Sequence, residues 1–418
     1  MIAYCIIRRG CARLGESAQT PMTESQRTVR VLVSGGGSGG HVTPALATIE
    51  EIKALAEREG TWAPTFLYVG SHGGVEREMA EAAGIPFTAI ATGKLRRSHR
   101  VLGHFSWRNL LDALRLPWGV LQALLLVIRF RPHVVLSTGG FVCVPPVIAA
   151  WLLHVPVITH EQTVQMGLAN RIASRFARRI ALTYESARDY LPARLQAQTF
   201  VTGNPVRHVI FNGSPATAMS IAGFSSGDTL PTLYVTGGAQ GAQHINRAVE
   251  DALPDLLRFC RIIHQCGRQA TGPTREVERL RRARAALPDR LQARYHVVDF
   301  VADEIGHLYA LADAVVSRSG AGTLAEVFAL GKPAIFIPLV PTGGDEQRRN
   351  AQHAAGAGTA VIIEQEELTG VTLCNCAREL LADPVRQKAM ACAAKGLART
   401  DAALLLAESV IALANRPG

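Results

Sequence analysis

Short apolar runs alternate with helical segments along most of the chain. In the first half the runs are TFLYVG, VVLSTGG, VPVITH and ARRIALTY, and in the second they are RIIHQCG, YHVVDFV, DAVVSRSG and PAIFIPL. Each run has the length of a strand, and the segments between the runs carry apolar residues at helical spacing. This alternation predicts βαβ units and parallel sheets.

The two halves of the chain open with the same pattern. VRVLVSGGGSGGHVTPALATIEEIKAL begins at Val29, and PTLYVTGGAQGAQHINRAVEDAL begins at Pro231. Both are typical of a strand, a glycine turn and an amphipathic helix. The sequence therefore predicts an α/β protein with two doubly wound parallel-sheet domains that face each other across a cleft. Ligands of such sheets bind outside the carboxyl ends of the strands.

The pattern also predicts domain boundaries. Residues 1–28 match no element and are expected to be an unstructured N-terminal extension, residues 29–204 form the first domain, and residues 205–398 form the second. A final helix, 399–418, is expected to pack back on the first domain. Residues 212–231, rich in Gly, Ser, Thr and Pro, are predicted to be a linker or surface loop.

Composition excludes several classes of protein. Hydrophobic residues make up 48% of the 418 residues, enough for two cores and too many for a disordered or fibrous chain. Aromatic residues make up 6%, so stacking platforms for single-stranded nucleic acid are not expected. The 8 cysteines are too sparse for a disulfide scaffold, and no second pair accompanies Cys374 and Cys376 to complete a metal site. We expect reduced thiols in a cytoplasmic protein.

The net charge of +10 is concentrated in one segment. Residues 94–131 contain eight Lys or Arg residues and a single acid, Asp112. A local basic patch indicates an anionic surface as partner. The apolar stretch 110–128 within this segment is interrupted by Asp, Arg, Pro, Gly and Gln, so it is not predicted to span a membrane.

Glycines dominate the loop that follows the first strand. Residues 35–40 contain five glycines in six positions, which lets backbone N–H groups approach an anion or a sugar at a helix N-terminus. An ordinary strand-to-helix turn is the competing interpretation, but such a turn needs one or two glycines. His41 follows the loop and is a candidate general base or ligand contact.

The second half has a matching loop, 237–242, and a companion segment, 317–326. The companion segment opens a helix with small residues, which allows a ribose or a diphosphate to approach the helix N-terminus. Glu326 could accept hydrogen bonds from two ribose hydroxyls. Alternatively, it is an acid that stabilises the helix dipole, and both interpretations can hold.

Polar residues follow three further strands. The run VPVIT ends in His160-Glu161-Gln162-Thr163, so His160 is a second candidate base. Glu161 is a further candidate catalytic residue, or it could pair with His160 as a structural element. Arg207 could bind a phosphate through two donors or could simply lie in a hinge. The polar segment 345–350 suits sugar hydroxyls or a solvated loop equally well.

These motifs together resemble the MurG-type peptidoglycan N-acetylglucosaminyltransferases, a family of GT-B glycosyltransferases. The matches lie between about Val29 and Gln365 and are GGGSGGH (35–41), GSHGGVE (70–76), GKLRR (93–97), STGGF (137–141), HEQ (160–162), GNPVR (203–207), GGAQGA (237–242), HQCG (264–267), SRSGAGTLAE (317–326) and DEQRRNA (345–351). The resemblance implies a GT-B fold. It also implies transfer of N-acetylglucosamine from UDP-N-acetylglucosamine to the MurNAc 4-hydroxyl of undecaprenyl-diphosphate-MurNAc-pentapeptide (lipid I). The product would be lipid II, formed with inversion and without a metal or another cofactor.

The resemblance also implies roles for individual residues. The donor and its diphosphate would contact Ser38, Gly39, Gly40 and Arg207. Val301 would lie against uracil, and Gln347 would contact the sugar. The nucleotide would be held by Ala321, Gly322, Thr323, Leu324, Ala325 and Glu326.

Two donor-binding positions depart from the family pattern. Thr163 stands where the family normally has Asn, and Ala239 stands where it normally has Ser. A threonine hydroxyl can still form a hydrogen bond, whereas Ala239 offers only its backbone N–H. Two alternatives stay open: a related GT-B transferase acting on another lipid acceptor, such as diacylglycerol, and a catalytically silent nucleotide-sugar binding protein, which only these two departures suggest.

The basic segment fits a membrane-anchored acceptor. The residues expected to meet the acceptor or an anionic bilayer are Lys94, Arg96, Arg97, Arg100, Trp107 and Asn170. The expected location is peripheral, on the cytoplasmic face of the bacterial cell membrane. The expected partners are UDP-N-acetylglucosamine, lipid I and the membrane, with other cell-wall synthesis proteins as further candidates and no nucleic acid.

Overall fold

The computed structural model describes residues 27–93, 107–268, 270–271, 274–340 and 345–415. These residues form two α/β domains, each built on a parallel sheet with helices on its faces. The α/β class and the two parallel sheets predicted from the alternation of apolar runs and helices are confirmed. Most of the predicted N-terminal extension lies outside the described residues, and the first strand begins at Arg27, two residues before the predicted start.

The first sheet has seven parallel strands in the order β3-β2-β1-β4-β5-β6-β7. Its strands are β1 (Arg27–Gly35), β2 (Trp62–Ser71), β3 (Phe87–Ile90), β4 (Val134–Gly139), β5 (Val157–Glu161), β6 (Arg179–Leu182) and β7 (Thr199–Val201). The helices between them are α1 (Gly39–Glu59), α2 (Val75–Ala82), α3 (Trp107–Phe130), α4 (Val144–Leu152), α5 (Leu168–Ala173) and α6 (Ala193–Gln196). The order reverses beside β1, which is the switch point where doubly wound sheets bind ligands.

The second sheet has six parallel strands in the order β12-β9-β8-β13-β14-β15. Its strands are β8 (Thr232–Thr236), β9 (Arg261–Gln265), β12 (Tyr295–Val298), β13 (Ala314–Ser317), β14 (Ala334–Phe336) and β15 (Ala360–Ile362), and β10 (Ala270–Thr271) with β11 (Thr274–Arg275) makes a small antiparallel pair. The helices of this half are α7 (Pro215–Ala222), α8 (Gln243–Leu256), α9 (Glu276–Ala285), α10 (Asp289–Gln292), α11 (Ile305–Leu311), α12 (Ala321–Leu330), α13 (Glu346–Gly356), α14 (Gly370–Leu381) and α15 (Pro384–Leu397).

The last helix of the described chain, α16 (Ala402–Ala414), packs in the first domain. Leu406 and Val410 are fully buried in the same apolar cluster as Ile49 and Ile52 of α1. The chain therefore crosses between the domains twice, once near residues 203–207 and once near residues 397–402. Because the chain crosses twice, both connections constrain the position of one domain relative to the other.

The segment predicted to be a linker contains a helix. Ser214 accepts a hydrogen bond from the backbone N–H of Thr217 at 3.3 Å, Pro215 occupies the first helical turn, and Gly223 ends the helix in the left-handed conformation. These are the start and stop signals of a short helix. The expectation of a loop here is wrong. The residues that cap this helix are of the types that also dominate loops, so composition alone did not reveal the helix.

Candidate active site at the carboxyl edges of the two sheets

The first glycine loop joins β1 to α1 and leaves the start of this helix open. Ser38 is the N-cap residue, yet its side chain accepts no capping hydrogen bond, and the first turn of α1 contains no acid. Free N–H groups at the start of a helix carry partial positive charge and bind anions. Ser38 is exposed and Gly39 and Gly40 are half-buried, so an anion can reach this helix start.

A second loop of the same sheet edge packs directly on the first. The backbone N–H of Gly36 donates to the carbonyl of Gly139 at 3.2 Å. A Cβ atom at Gly140 would lie 2.0 Å from the carbonyl oxygen of Gly36, and Gly140 has a φ of +80°. Only glycine satisfies both conditions, so Gly140 of the STGGF motif allows the two loops to pack in contact.

His41 lies half-buried in the first turn of α1 and is held by two acceptors. Its Nδ1 atom is 3.0 Å from the carbonyl oxygen of Thr138 and 2.9 Å from Oε1 of Gln162. The Gln162 amide nitrogen donates to the same Thr138 carbonyl at 2.7 Å, which orients Oε1 toward His41. Nδ1 therefore carries the proton, and Nε2, which has no hydrogen-bond partner in the described ranges, keeps a lone pair for an incoming hydroxyl.

His160 is fully buried, and both of its ring nitrogens are used. Nε2 donates to the carbonyl of Gly203 at 2.9 Å, and Nδ1 accepts from the Gln162 amide at 3.0 Å. Burial lowers the pKa of His160 to about 4, against the smaller opposing effect of the Gly203 hydrogen bond. A neutral imidazole without a free nitrogen cannot take a proton from a substrate, so the geometry favours His41 over His160 as the base.

Glu161 is buried and fully hydrogen-bonded. Its Oε1 accepts from the backbone N–H of Thr163 at 3.0 Å and from the Thr163 hydroxyl at 2.7 Å. Its Oε2 accepts from the backbone N–H of Gly167 at 3.0 Å and from the Asn170 amide at 2.9 Å. The carboxylate holds the loop between β5 and α5 and does not pair with the His160 ring, unlike the arrangement considered from the sequence.

Thr163 and Asn170 lie inside this buried network. Asn170 is 3% exposed, and its amide also donates to the carbonyl of His160 at 3.0 Å. Thr163 is 4% exposed, and its hydroxyl bonds with Glu161 and with the carbonyl of Gln165. Both side chains thus help to satisfy a buried carboxylate, and their roles in donor and acceptor binding stay predictions.

In the second domain, α12 begins with another open N-terminus. Its N-cap residue is Gly320, no side chain caps it, and its first turn contains no acid. The Asn204 amide donates to the carbonyl of Ala321 at 3.1 Å, which ties the first crossing between the domains to this helix start. Gly322, Thr323 and Ala325 are half-buried, so the first turns of α12 are accessible to a ligand.

Glu326 lies beyond the first turn of α12 and is paired with a buried tyrosine. The Tyr309 hydroxyl donates to its Oε2 at 2.8 Å. Burial raises the pKa of Glu326, while the Tyr309 hydrogen bond and the charge of Arg207 lower it. Arg207 has a buried Nε atom without a hydrogen-bond partner among the described residues. In the described residues no hydrogen-bond donor meets the second carboxylate oxygen, Oε1, of Glu326.

The start of α13 brings polar groups toward the first domain. Gln347 accepts from the backbone N–H of Leu339 at 3.0 Å through its Oε1, which directs its amide nitrogen away from Leu339. The ring of His353 in α13 packs edge-on against Tyr184 of the first domain, with ring centroids 4.7 Å apart, so this helix borders the cleft between the domains.

Other residues selected from the sequence are placed as follows. The side chains of Val301 and Leu324 pack in the core of the second domain, so a ligand beside them meets only backbone. The carbonyl of Ala239 accepts from the backbone N–H of Arg268 at 3.2 Å. Lys94, Arg96, Arg97 and Arg100 lie outside the described residues. Trp107 begins α3, and only its backbone is described.

Three residues of the site were not assigned roles from the sequence. Thr138 and Gln162 lie within the STGGF and HEQ motifs and orient His41, so motif membership was the available signal. Tyr309 lies in α11 and contacts Glu326 from 17 positions away in sequence. No local pattern indicates that contact, because it depends on how α11 and α12 pack.

The comparisons with known proteins agree with this architecture. The glycosyltransferase family 28 N-terminal domain matches residues 31–182, and the family 28 C-terminal domain matches residues 232–406. The enzyme named UDP-N-acetylglucosamine–N-acetylmuramyl-(pentapeptide) pyrophosphoryl-undecaprenol N-acetylglucosamine transferase is 35% identical in Legionella pneumophila (strain Paris), over 84% of this chain and 88% of that protein. The enzyme of that name from Bacillus anthracis, numbered 2, is 37% identical over 84% of this chain and 91% of its own length. The crystal structure of Acinetobacter baumannii MurG has a TM-score of 0.65 at 24% identity, covers 92% of this chain and 99% of its own, and shares the GT-B fold.

The buried state of His160 predicts a pH-dependent stability. A histidine with a folded pKa of about 4 and an unfolded pKa of about 6.5 binds fewer protons when folded, so its contribution is present above pH 6.5 and is lost as the pH falls toward 4. Between pH 7.5 and 5 we expect the stability difference between the parent and His160→Gln to shrink by about 2 kcal/mol. Denaturant unfolding at these two pH values measures it.

His154→Asn is the matched control, because His154 is exposed and asparagine tolerates its φ of +56°. This control should keep the pH dependence of the parent. A difference between the parent and His160→Gln that stays constant from pH 7.5 to 5 would contradict the assignment.

Proposed function

We propose that this chain, which belongs to glycosyltransferase family 28, transfers N-acetylglucosamine from UDP-N-acetylglucosamine to the MurNAc 4-hydroxyl of lipid I. The products are lipid II and UDP, and the anomeric configuration inverts without a metal ion. The observation that carries the proposal is the identity of 35–37% over 84% of the chain to transferases named for this reaction.

The donor binds mainly to the second domain in this proposal. The first turns of α12 present open N–H groups to the diphosphate. Arg207, whose charge acts on Glu326 of the same helix, adds its guanidinium. Glu326 accepts the ribose hydroxyls, and the Gln347 amide donates to the sugar. Uracil lies against the backbone beside Val301. As the bond between the anomeric carbon and the diphosphate breaks, the helix start and Arg207 stabilise the negative charge on UDP.

The acceptor binds to the first domain. The open N-terminus of α1 suits its diphosphate, and Nε2 of His41 suits its hydroxyl. The hydroxyl oxygen attacks the anomeric carbon from the face opposite UDP, its proton moves to Nε2, and the electron pair of the broken bond leaves with UDP. Thr138 and Gln162 hold the imidazole ready to receive that proton and to spread the resulting positive charge.

An apolar stripe on the first domain supports docking at an anionic membrane surface. Its members lie on one face of α3 at helical spacing and are exposed at Trp118 (56%), Leu121 (46%), Leu125 (61%) and Ile128 (55%). Trp151 and Leu152 at the end of α4, which packs on α3, are also exposed. We propose that this stripe and the basic residues of segment 94–131 attach the protein to the cytoplasmic face, where the lipid acceptor is reached.

No helix in the described ranges combines the length and the apolarity needed to cross a bilayer.

The decisive assay is release of UDP from UDP-N-acetylglucosamine upon addition of lipid I, with mass spectrometry of the product. A mass increase of one N-acetylhexosamine on lipid I supports the proposal. Transfer to diacylglycerol but not to lipid I would replace it with another lipid acceptor. UDP binding without any transfer would identify a binding protein.

The geometry of His41 predicts the pH profile of turnover. His41→Ala should lower turnover by about two to four powers of ten at saturating substrates and abolish the acidic limb of the profile, because Nε2 is the proton acceptor. Its affinity for UDP should stay at the parent level. An acidic limb that persists in His41→Ala would exclude His41 as the base. The comparison variant is His160→Gln, which should retain this limb above pH 5.

The position of Glu326 predicts its effect on the nucleotide. Glu326→Gln, which can still accept from Tyr309, should weaken UDP binding by about 10- to 100-fold because an amide nitrogen cannot accept from a ribose hydroxyl. Burial raises the pKa of Glu326 above its usual 4.5. As the pH is lowered, UDP affinity in the parent should therefore begin to fall at a higher pH than it would with an ordinary glutamate. Calorimetry measures both effects. The control is Glu278→Ala, because Glu278 is exposed on α9 of the same domain. Equal UDP affinity in Glu326→Gln and in the parent would remove Glu326 from the site.

The apolar stripe predicts binding to lipid. The double variant Trp118→Ser, Leu125→Ser should sediment with phosphatidylglycerol vesicles at least about tenfold more weakly than the parent, because each side chain loses its burial in the bilayer. Replacing Arg96, Arg97 and Arg100 with Ser should reduce binding most at low salt. Val371→Ser, Val385→Ser is the control, since these valines are 70% and 80% exposed on the second domain. Equal loss in the control would exclude a specific surface.

A further inference from the structure

A carboxylate with no exposed surface lies between two loops at the edge of the first sheet. Glu76, the second residue of α2, is 0% exposed. Its Oε2 accepts from the backbone N–H of Gly37 in the first glycine loop at 3.1 Å. Its Oε1 accepts from the backbone N–H of Ser71 at 2.9 Å and from the Ser71 hydroxyl at 2.6 Å. One side chain therefore ties the loop after β1 to the loop after β2.

Three glycines provide the space for this carboxylate. A Cβ atom would lie 2.6 Å from Cδ of Glu76 at Gly36, 2.6 Å from Cγ at Gly70, and 2.1 Å from both carboxylate oxygens at Gly74. Any side chain at these positions would displace Glu76 from its hydrogen bonds. The glycines of two separate motifs, GGGSGGH and GSHGGVE, thus share one packing requirement.

A buried carboxylate is costly unless its lone pairs are used by donors, so the three hydrogen bonds fix both loops relative to each other. They also determine which N–H groups of the loop can meet a ligand. Gly37 is committed to Glu76, which leaves the N–H groups of Gly39 and Gly40 at the start of α1. His41 follows directly, and its backbone N–H donates to the Ser38 carbonyl at 3.2 Å.

We infer that Glu76 is a positioning residue: it holds the first glycine loop in the conformation that presents the start of α1 and His41 to the acceptor. This inference rests on the proposed transferase function for its effect on turnover. The effect of Glu76 on the conformation of the loop does not depend on that function, because it follows from the hydrogen bonds and the packing described above.

The test uses Glu76→Gln in the full chain. The amide keeps the shape of the side chain, but when Oε1 stays with Ser71, its nitrogen meets the N–H of Gly37 donor against donor. Turnover should fall by about 10- to 100-fold through misplacement of His41 and the acceptor. UDP affinity should stay within about twofold of the parent, since the nucleotide site lies in the second domain. Hydrogen exchange of a peptide covering residues 34–42 should become faster, while peptides from β4 and β5 keep the parent rates.

Glu81→Gln is the matched control, because Glu81 lies on the same helix, is 54% exposed and pairs only with Arg77 in the described chain. It should match the parent in turnover and in exchange. Glu76→Asp is the second variant: it keeps the charge but is one methylene shorter, so it should also release the loop.

Four results overturn the inference: parent turnover in Glu76→Gln, unchanged exchange in the loop, equal losses in Glu81→Gln, and faster exchange throughout the first sheet. The last result would show a general structural role. If the parent releases no UDP with lipid I, the proposed function fails instead. The exchange experiment, which needs no substrate, then decides alone whether Glu76 holds the loop.

Discussion

Several helices of the described chain begin without a capping side chain, and two of them, α1 and α12, follow the glycine-rich motifs at the carboxyl edges of the two sheets, where the candidate site is organised around their open ends. Parallel strands bring every following helix N-terminus to the same edge of a sheet, so α1 and α12 deliver partial positive charge to the two walls. An unfilled N-cap forgoes about 1 kcal/mol of helix stability. Neither Ser38 nor Gly320 supplies that bond, and neither first turn contains an acid. This arrangement leaves both ends for anionic ligands, such as the diphosphates of the proposed donor and acceptor.

At the carboxyl edge of the first sheet, hydrogen bonds satisfy the buried charged side chains. Glu161 accepts four hydrogen bonds and Glu76 accepts three, and both carboxylates serve to fix loops. His160 is held neutral by burial. Of the two histidines at this edge, His41 is the one with a ring nitrogen, Nε2, that has no hydrogen-bond partner in the described residues. In the proposed mechanism, the packing around the competing groups therefore leaves His41 as the base.

The fold was predictable from the sequence because periodicity determines it locally. Strand runs and helical spacing identify βαβ units wherever they occur, whereas the helix at 215–222 was missed because its capping residues resemble a loop. The site was predictable only as a set of sheet-edge motifs. Consecutive residues of a strand point to opposite faces, so His160 and Glu161 in β5 could not pair as considered from the sequence. The contacts of Tyr309 with Glu326 and of Glu76 with Gly37 depend on tertiary packing, which no local pattern encodes.

The two departures from the family pattern differ in their consequences. Thr163 uses its backbone N–H and its hydroxyl to bind Glu161, so the residue supports a buried carboxylate and has no donor atom left for a sugar. Its substitution therefore gives little reason to expect a silent binding protein. Ala239 is half-buried in the second glycine loop and lacks a hydroxyl that the family normally has there, while its carbonyl holds the backbone of Arg268. Any difference in donor affinity should accordingly originate at this loop of the second domain, beside α12, and not at the first sheet edge.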